Sequence, residues 1–515
     1  MAIQKPAVTV TLRGTNATIS TGPQKVLFVG QMTSGAVATD TVLVENIGNA
    51  NEWDALFGHT SMLASMIRAF RKINPVTHID AIPLADLSGG TAATGSIAFT
   101  GTSTAAGTLY ATVGGYNDNR YQLDITSGMT ATAAGAALAA LVNADYEGWT
   151  TAVNTTGSVA LTAIHKGTEG NTINLIVEGN VPGLTVTVTA MASGAGNPVI
   201  TSIFNQVADA RYQTIVFPST YAVGPTLLNF LDPRFNVVND VLDGRLVQCI
   251  ADSKANLIST GTANNSQNYV IIGLKAVADT AFKGNGSRLL PCSIASQVAA
   301  IRSLRLTEGA NIVDYVTTSA GSLDTIGGAA LASFPYFNTP LPFVPVFPVG
   351  KDWSKDDVED LAAAGISCIG NNRAKNLVVV GDLVTTYKTD SFGNADVTFK
   401  YLNNVDVAST VRELFDSNLR QEFAQCRLTL GDLRPGRSMA NAKSIAAFCD
   451  QIFSLLGNSD FVLVQGGPEV IAYFKANRTV SINMPAGSVT IIMLVPIVTQ
   501  LRAIIVPMQI TFSIN

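Results

Sequence analysis

The sequence predicts a multidomain protein of mixed α+β and α/β class, and three observations carry that prediction. At 515 residues the chain is too long for one ordinary hydrophobic core, so roughly three or four domains are expected. Its composition changes abruptly near Ser88-Gly89-Gly90, where a Thr-, Ala- and Gly-rich stretch almost free of charge begins and runs to about Pro198. Outside that stretch apolar runs of strand length alternate with helical patterns, whereas inside it strand-like runs follow one another between Gly, Asn and Asp turns.

The first segment, 23–87, predicts a strand, helix, strand unit. Past the Gly22-Pro23 turn comes the apolar run Val26-Leu27-Phe28-Val29-Gly30, which reads as a buried strand. Asn51 is placed to cap a short helix through Trp53 and Leu56 that stops at Gly58. Ser61 opens a second helix on which Met62, Met66, Phe70 and Ile73 share one face while Arg68, Arg71 and Lys72 mostly take the other. Pro75 stops it, and Ile79, Ile82 and Leu84 form a returning strand.

The low-charge stretch, 88–198, reads as a separate β-rich module inserted into a parent domain. Strands are expected over 97–100, 108–113, 121–125, 160–164, 173–177 and 184–188, with one helix over 132–142. From Tyr212 an α/β rhythm resumes, with strands at 214–217, 246–250 and 270–274 and a helix at 223–230. Residues 334–349 carry five prolines and can form neither a helix nor a central strand, so an extended crossing segment is expected. Asp352 or Ser354 then caps a helix ending at Gly365, and a strand follows at 377–380. Two longer helices, 407–424 and 441–456, precede strands at 461–464, 470–474 and 480–484 and a closing run at 504–514. Both chain ends are strand-forming: Val8, Val10 and Leu12 alternate at one, and Ile504, Val506, Met508, Ile510, Phe512 and Ile514 mark the other. An unpaired terminal strand invites pairing with another chain.

Composition narrows the function. Charged residues make up 13%, against about 25% in ordinary globular chains, and mean hydropathy is +0.29. So little charge implies that part of the surface is covered by copies of the chain or by partners. A net charge of −5 without a basic stripe argues against direct nucleic-acid binding. The first residues lack the apolar run of a secretion signal. The tract 489–507 is broken by Pro496, Gln500 and Arg502, so it reads as buried strands and no membrane insertion is expected. Five scattered cysteines, Cys249, Cys292, Cys368, Cys426 and Cys449, suit a reducing cytoplasm and look like small core residues.

Searching for chemistry yields no catalytic group, cofactor site or metal site. His59, His78 and His165 fit no ligand spacing and are expected to be ordinary surface or loop residues. Residues 30–35 follow a strand but lack the P-loop spacing and lysine, so they are taken as a turn. Asp356, Asp357, Glu359 and Asp360 sit in the first turns of a helix, where the helix dipole accounts for them better than calcium does.

Ordered along almost the whole chain are Pro23-Gln24-Lys25-Val26-Leu27-Phe28-Val29-Gly30-Gln31, Leu56-Phe57-Gly58, Ser61-Met62-Leu63-Ala64-Ser65-Met66 and Ile82-Pro83-Leu84. They are followed by Ala105-Ala106-Gly107-Thr108-Leu109-Tyr110, His165-Lys166-Gly167-Thr168-Glu169-Gly170-Asn171 and Gly194-Ala195-Gly196-Asn197-Pro198. Then come Ala364-Gly365-Ile366-Ser367, Thr385-Thr386-Tyr387-Lys388-Thr389, Phe392-Gly393, Asn477-Arg478 and Gln500-Leu501-Arg502. In this order the sequence resembles the tail sheath proteins of contractile-tailed phages, specifically the Mu-like branch.

That resemblance implies a sheath-type architecture: a terminal arm (1–22), discontinuous N-terminal domains (23–87 and 199–389) around the insertion (88–198), a C-terminal α+β domain facing the tube (390–503) and a closing strand arm (504–515). It implies a non-enzymatic homo-oligomer of hexameric rings stacked helically around an inner tail tube protein, between baseplate and tail terminator proteins. Such a protein is made in the host cytoplasm, belongs to the virion tail, and contracts to drive the tube through the host envelope. The arms at 7–13 and 504–515 would add strands to neighbouring C-terminal domains. A helix of that domain would face the tube, with Arg412, Arg420 and Lys443 as candidate contacts. Two rivals remain: another self-assembling surface β protein, adhesin- or S-layer-like, and an α/β enzyme decorated with a β domain.

Overall fold

The computed structural model describes residues 24–499 except 116–119, 202, 236–241, 309–313, 318–322, 327–335, 373, 435–437 and 458–462. Both expected strand arms, with Val8, Val10, Leu12, Ile504, Val506, Met508, Ile510, Phe512 and Ile514, lie outside the described residues.

The chain opens with β1 (Lys25–Gln31), α1 (Ala50–Phe57), α2 (Met62–Arg71) and β2 (His78–Leu84). The cap of α1 is Asn49 rather than Asn51: its side chain accepts from Glu52 N while the Glu52 carboxylate accepts from Gly48 N, so the chain is fastened from both sides two residues earlier. Gly58 ends α1 at φ 86°, where a Cβ would fall 1.7 Å from Thr33 Oγ1. Ser61 caps α2 as its sequence suggests. Arg68, expected on the outer side of α2, is buried and pairs with Asp54.

Next come β3 (Ala92–Gly101), β4 (Gly107–Val113), β5 (Arg120–Ile125), α3 (Ala131–Ala144), β6 (Thr150–Thr155), β7 (Ser158–Lys166), β8 (Leu175–Glu178) and β9 (Leu184–Ala192). The α/β rhythm then resumes through β10 (Thr214–Val216), α4 (Pro225–Leu231), β11 (Arg245–Asp252), α5 (Lys254–Ala263), β12 (Tyr269–Ala278), β13 (Phe282–Asn285) and α6 (Pro291–Glu308). A hairpin of β14 (Asp314–Thr317) and β15 (Leu323–Ile326) leads to the irregular proline-rich crossing, α7 (Lys355–Ala363), β16 (Ile366–Asn372) and β17 (Leu377–Val380). The last third holds α8 (Leu402–Phe423), β18 (Arg427–Leu428), β19 (Met439–Ala440), α9 (Ala442–Leu456), α10 (Pro468–Ala476), β20 (Arg478–Asn483) and β21 (Ser488–Met493).

At the centre is a parallel sheet in the order β2-β1-β10-β11-β12-β16, closed by antiparallel β17. Both faces are covered, which is why its strands read as continuous apolar runs rather than alternating ones. Val26, Phe28, Val216, Val247 and Ile272 belong to the same core as residues of α2 and α6. Leu27, Val29, Ile215, Leu246 and Ile271 pack with residues of α4, α5 and α7 on the opposite face. Strand order reverses at β1, which has β2 on one side and β10 on the other.

Residues between β2 and β10 leave this sheet and return to it. Half of them form a four-stranded antiparallel sheet, β6-β7-β3-β9, on which α3 packs. The other half corrects the expectation of a separate module. Antiparallel β13 pairs with β12 on one side and with β8 on the other, and β8 continues into β4 and β5, so one sheet runs from the α/β core into the insertion.

Two further expectations are overturned near the C-terminus. Residues 470–474 lie in α10 rather than a strand, because Pro468 at the helix start and the Gly467 turn before it outweigh the β-prone run that follows. The tract from Val489 does supply a strand, β21, but not a buried one: its residues alternate between exposed and partly buried.

A candidate assembly surface in the C-terminal unit

The C-terminal unit grows from an aromatic centre. Phe474 of α10 stacks on Phe453 of α9 with ring centroids 4.1 Å apart, and Phe415 of α8 lies 6.3 Å from Phe474. Asn441 caps α9 in a reciprocal box with Ser444. Arg478, at the start of β20, reaches back to Asp450 of α9 and lies over the Phe474 ring, which holds the β20–β21 hairpin against the helices.

Among the described residues that hairpin is a sheet of two strands, in register Val480↔Ile491 and Ile482↔Val489. Val480, Val489, Ile491 and Met493 pack against the helical core but remain partly exposed, while Ile492 is 64% exposed on the outer face. Two strands by themselves are marginal, and edges left unpaired among the described residues are templates for another strand. The period-two alternation that produces this face is visible in the sequence of both strands.

A buried charge network ties α8 to the α/β core. Asp406 of α8 receives Arg302 of α6 through two hydrogen bonds, 2.6 and 3.0 Å, and the Tyr336 hydroxyl at 2.8 Å. Asp243, just before β11, takes Arg245 at 3.1 Å and Arg412 at 2.6 Å, and Arg211 bridges it to Glu413. Burial alone would raise the Asp243 carboxyl, but Arg245, Arg211 and Arg412 outweigh it and hold that carboxyl well below its usual range. The group lines a partly open pocket of about 20 Å³.

This network decides where the three cationic candidates stand. Arg412 is turned inward to Asp243, its side chain 16% exposed. Arg420 is 64% exposed and pairs along its own helix with Asp416. Lys443, in the first turn of α9, is exposed. The structure therefore does not gather the three into one outward-facing set. It also begins α8 at Leu402, five residues earlier than expected, because Asp406 is drawn into the buried pairing with Arg302.

Other chemistry-bearing residues have internal partners. Contrary to its expected place in a loop or on the surface, His165 is buried in β7. Its Nε2 accepts from Met62 N at 3.0 Å, so Nδ1 carries the proton and faces Asp86 at 3.0 Å. His59 and His78 are partly buried beside Asp54 and Asp80. Within the acidic run, Asp357 completes the Ser354 capping box, and Lys254 lies 2.7 Å from both Asp357 and Asp360. Among the described residues no cluster of His, Cys, Asp or Glu is arranged to hold a metal ion, and no helix is long and apolar enough to cross a membrane.

Comparison with known proteins favours the structural reading over the enzymatic one, because the curated protein the chain matches is a structural tail sheath protein. It is 26% identical over 436 residues to the tail sheath protein of the Mu-like prophage FluMu of Haemophilus influenzae, a match that covers 82% of this chain and 81% of that one. The chain is thus similar to a contractile phage tail sheath protein of the Mu-like branch. No family model matches it. Similar solved structures include a sheath tail protein of Listeria innocua (TM-score 0.46, 12% identity, 93% of each chain). A chain of the anti-feeding prophage baseplate gives TM-score 0.47 at 11% identity over 99% of this chain and 98% of that one. The contracted PVC sheath of an extracellular contractile injection system gives 0.44 at 9% identity over the same shares.

Proposed function

We propose that this chain is the polymerising subunit of a contractile tail sheath. Copies assemble as hexameric rings, stacked helically around an inner tail tube between a baseplate and a tail terminator. They are made in the host cytoplasm and, in the virion tail, contract to drive the tube through the host envelope. The observation that carries this reading is the β20–β21 hairpin, whose outer edges pair with no other strand among the described residues and whose apolar face is half covered. Strand-forming sequences at 7–13 and 504–515 are suited to complete such a hairpin on a neighbouring copy, with main-chain hydrogen bonds holding the link while the connecting segments bend.

In this proposal the arms are 1–22 and 504–515, the α/β domain is assembled from 23–87 and 199–389, the β-rich insertion is 88–198 and the tube-facing domain is 390–503. Arg420 and Lys443, being exposed, are the residues offered to the tube, while Arg412 serves the internal network.

Expressed alone and imaged by negative-stain electron microscopy, the full chain should form hollow cylinders with helical striations. Deleting 508–515 should leave a folded monomer that makes none; normal cylinders from the truncated chain would reject the strand-exchange assignment. Reversing Arg420 and Lys443 to Glu should spare self-assembly and lower the fraction of tubes that become coated when tube protein is added.

A further inference from the structure

In a doubly wound parallel sheet, the crevice beyond the carboxyl ends of the strands where strand order reverses is the usual ligand site. Here the reversal lies between β1 and β10. The crevice is occupied by the protein itself. Gln31, the last residue of β1, is fully buried and donates to the Lys166 carbonyl at 2.8 Å and to Asp86 at 2.6 Å. Beyond β10, residues 217–221 form a loop that receives the side chain of Glu169, which comes from the short turn after β7.

The contact has the form of a receptor and its ligand. Glu169 is 1% exposed, and its two carboxyl oxygens accept from Ser219 N, Ser219 Oγ, Thr220 N and Thr220 Oγ1 at 2.9–3.3 Å. Two backbone N–H groups and two hydroxyls converging on one carboxyl are what a bound anion meets in a backbone nest. The loop is held from behind: Gln248 on β11 donates to the carbonyls of Pro218, Ser219 and Tyr221, and its own oxygen accepts from Tyr269. The ligand side is equally fixed. A Cβ on Gly170 would come within 2.9 Å of Ala93 Cβ and 3.0 Å of Ala163 Cβ, so the Glu169 turn lies flush on β3 and β7.

We propose that residues 217–221 are an internal carboxyl-binding site at the strand-order reversal, and that Glu169 is its tethered ligand, sealing the insertion into the crevice that related sheets leave open for small molecules. Burial pushes the Glu169 carboxyl up and the Ser219 and Thr220 donors pull it back only in part, which fits a site built from dipoles without a countercharge. With its tether cut, the site takes a free small carboxylate.

The test uses the full-length Glu169→Ala protein, followed by thermal unfolding and amide hydrogen exchange with sodium formate or acetate, and with sodium chloride at equal ionic strength. Without additive the melting temperature should fall, and exchange at 165–171 and 217–221 should quicken on the order of tenfold or more, as loss of hydrogen bonds to a carboxyl implies. Formate or acetate should reverse both effects saturably, chloride should not, and adding Thr220→Val should abolish the rescue. Unchanged stability and exchange, or a loss that no carboxylate restores, would overturn the proposal. Should Glu169→Ala fail to fold, Thr220→Val alone should quicken exchange at 165–171, and unchanged exchange there would count against it.

Discussion

Asp406 shows what one buried side chain does here. Its carboxylate meets Arg302 and Tyr336 with 2% of the residue exposed. Removing one partner of such a pair leaves the other charge buried and uncompensated. Asp406→Ala should therefore cost about 3–5 kcal/mol in urea unfolding, whereas Asp416→Ala, which breaks the exposed pair with Arg420, should cost about 0–1 kcal/mol. The network also sets a pH dependence. Because its arginine neighbours lower the native pKa of Asp243, the stability it contributes is complete above the ordinary aspartate value of about 3.9. It is lost as pH falls through the lowered native value. Asp243→Asn should flatten the acid limb of a stability-against-pH curve. Nothing local marks these residues in the sequence, since Arg302 and Asp406 are 104 positions apart and an isolated arginine on a helix reads as solvated.

At the scale of the element, the sequence was most informative where a cap and an apolar face coincide. Ser61 with Met62, Met66 and Phe70 specifies α2 almost to the residue, and of the two caps the sequence offers for α7, Asp352 and Ser354, the structure uses Ser354. It was least informative where burial surrounds an element or where two propensities conflict. Helix α6 buries Ile294, Val298 and Ile301 but also Ser293, Gln297 and Ser303, so no amphipathic period announces it. In α10, Val470, Ile471, Tyr473 and Phe474 favour a strand, and only Pro468 argues for the helix that forms. That conflict is testable: Ala472→Pro in the middle of α10 should destabilise by about 3 kcal/mol or more. The same change should erase the near-ultraviolet circular dichroism of the Phe453–Phe474 stack. An edge strand would tolerate the substitution.

For the whole molecule, the alternation of α/β and β-rich stretches was legible, but the strand that joins them was not. Phe282–Asn285 is a four-residue run containing Gly284, too short for periodicity to single out, yet as β13 it carries the sheet from the core into the insertion. The insertion is fastened to the rest of the chain in several separate places. They include the β13–β8 seam, the Glu169 contact with 217–221, the Gln31 bond to the Lys166 carbonyl, and the face of α2, where Trp149 donates to Ser65 and His165 accepts from Met62. Hydrogen exchange in β4, β5 and β8 should then follow that of β11 and β12 as one cooperative unit; independent opening of the insertion would contradict the shared sheet. A body attached along one seam keeps a swivel, and a body attached at several separate places loses it. Torque applied to the β-rich part is therefore passed on to the central strands, and in the proposed assembly compliance is expected in the links between copies.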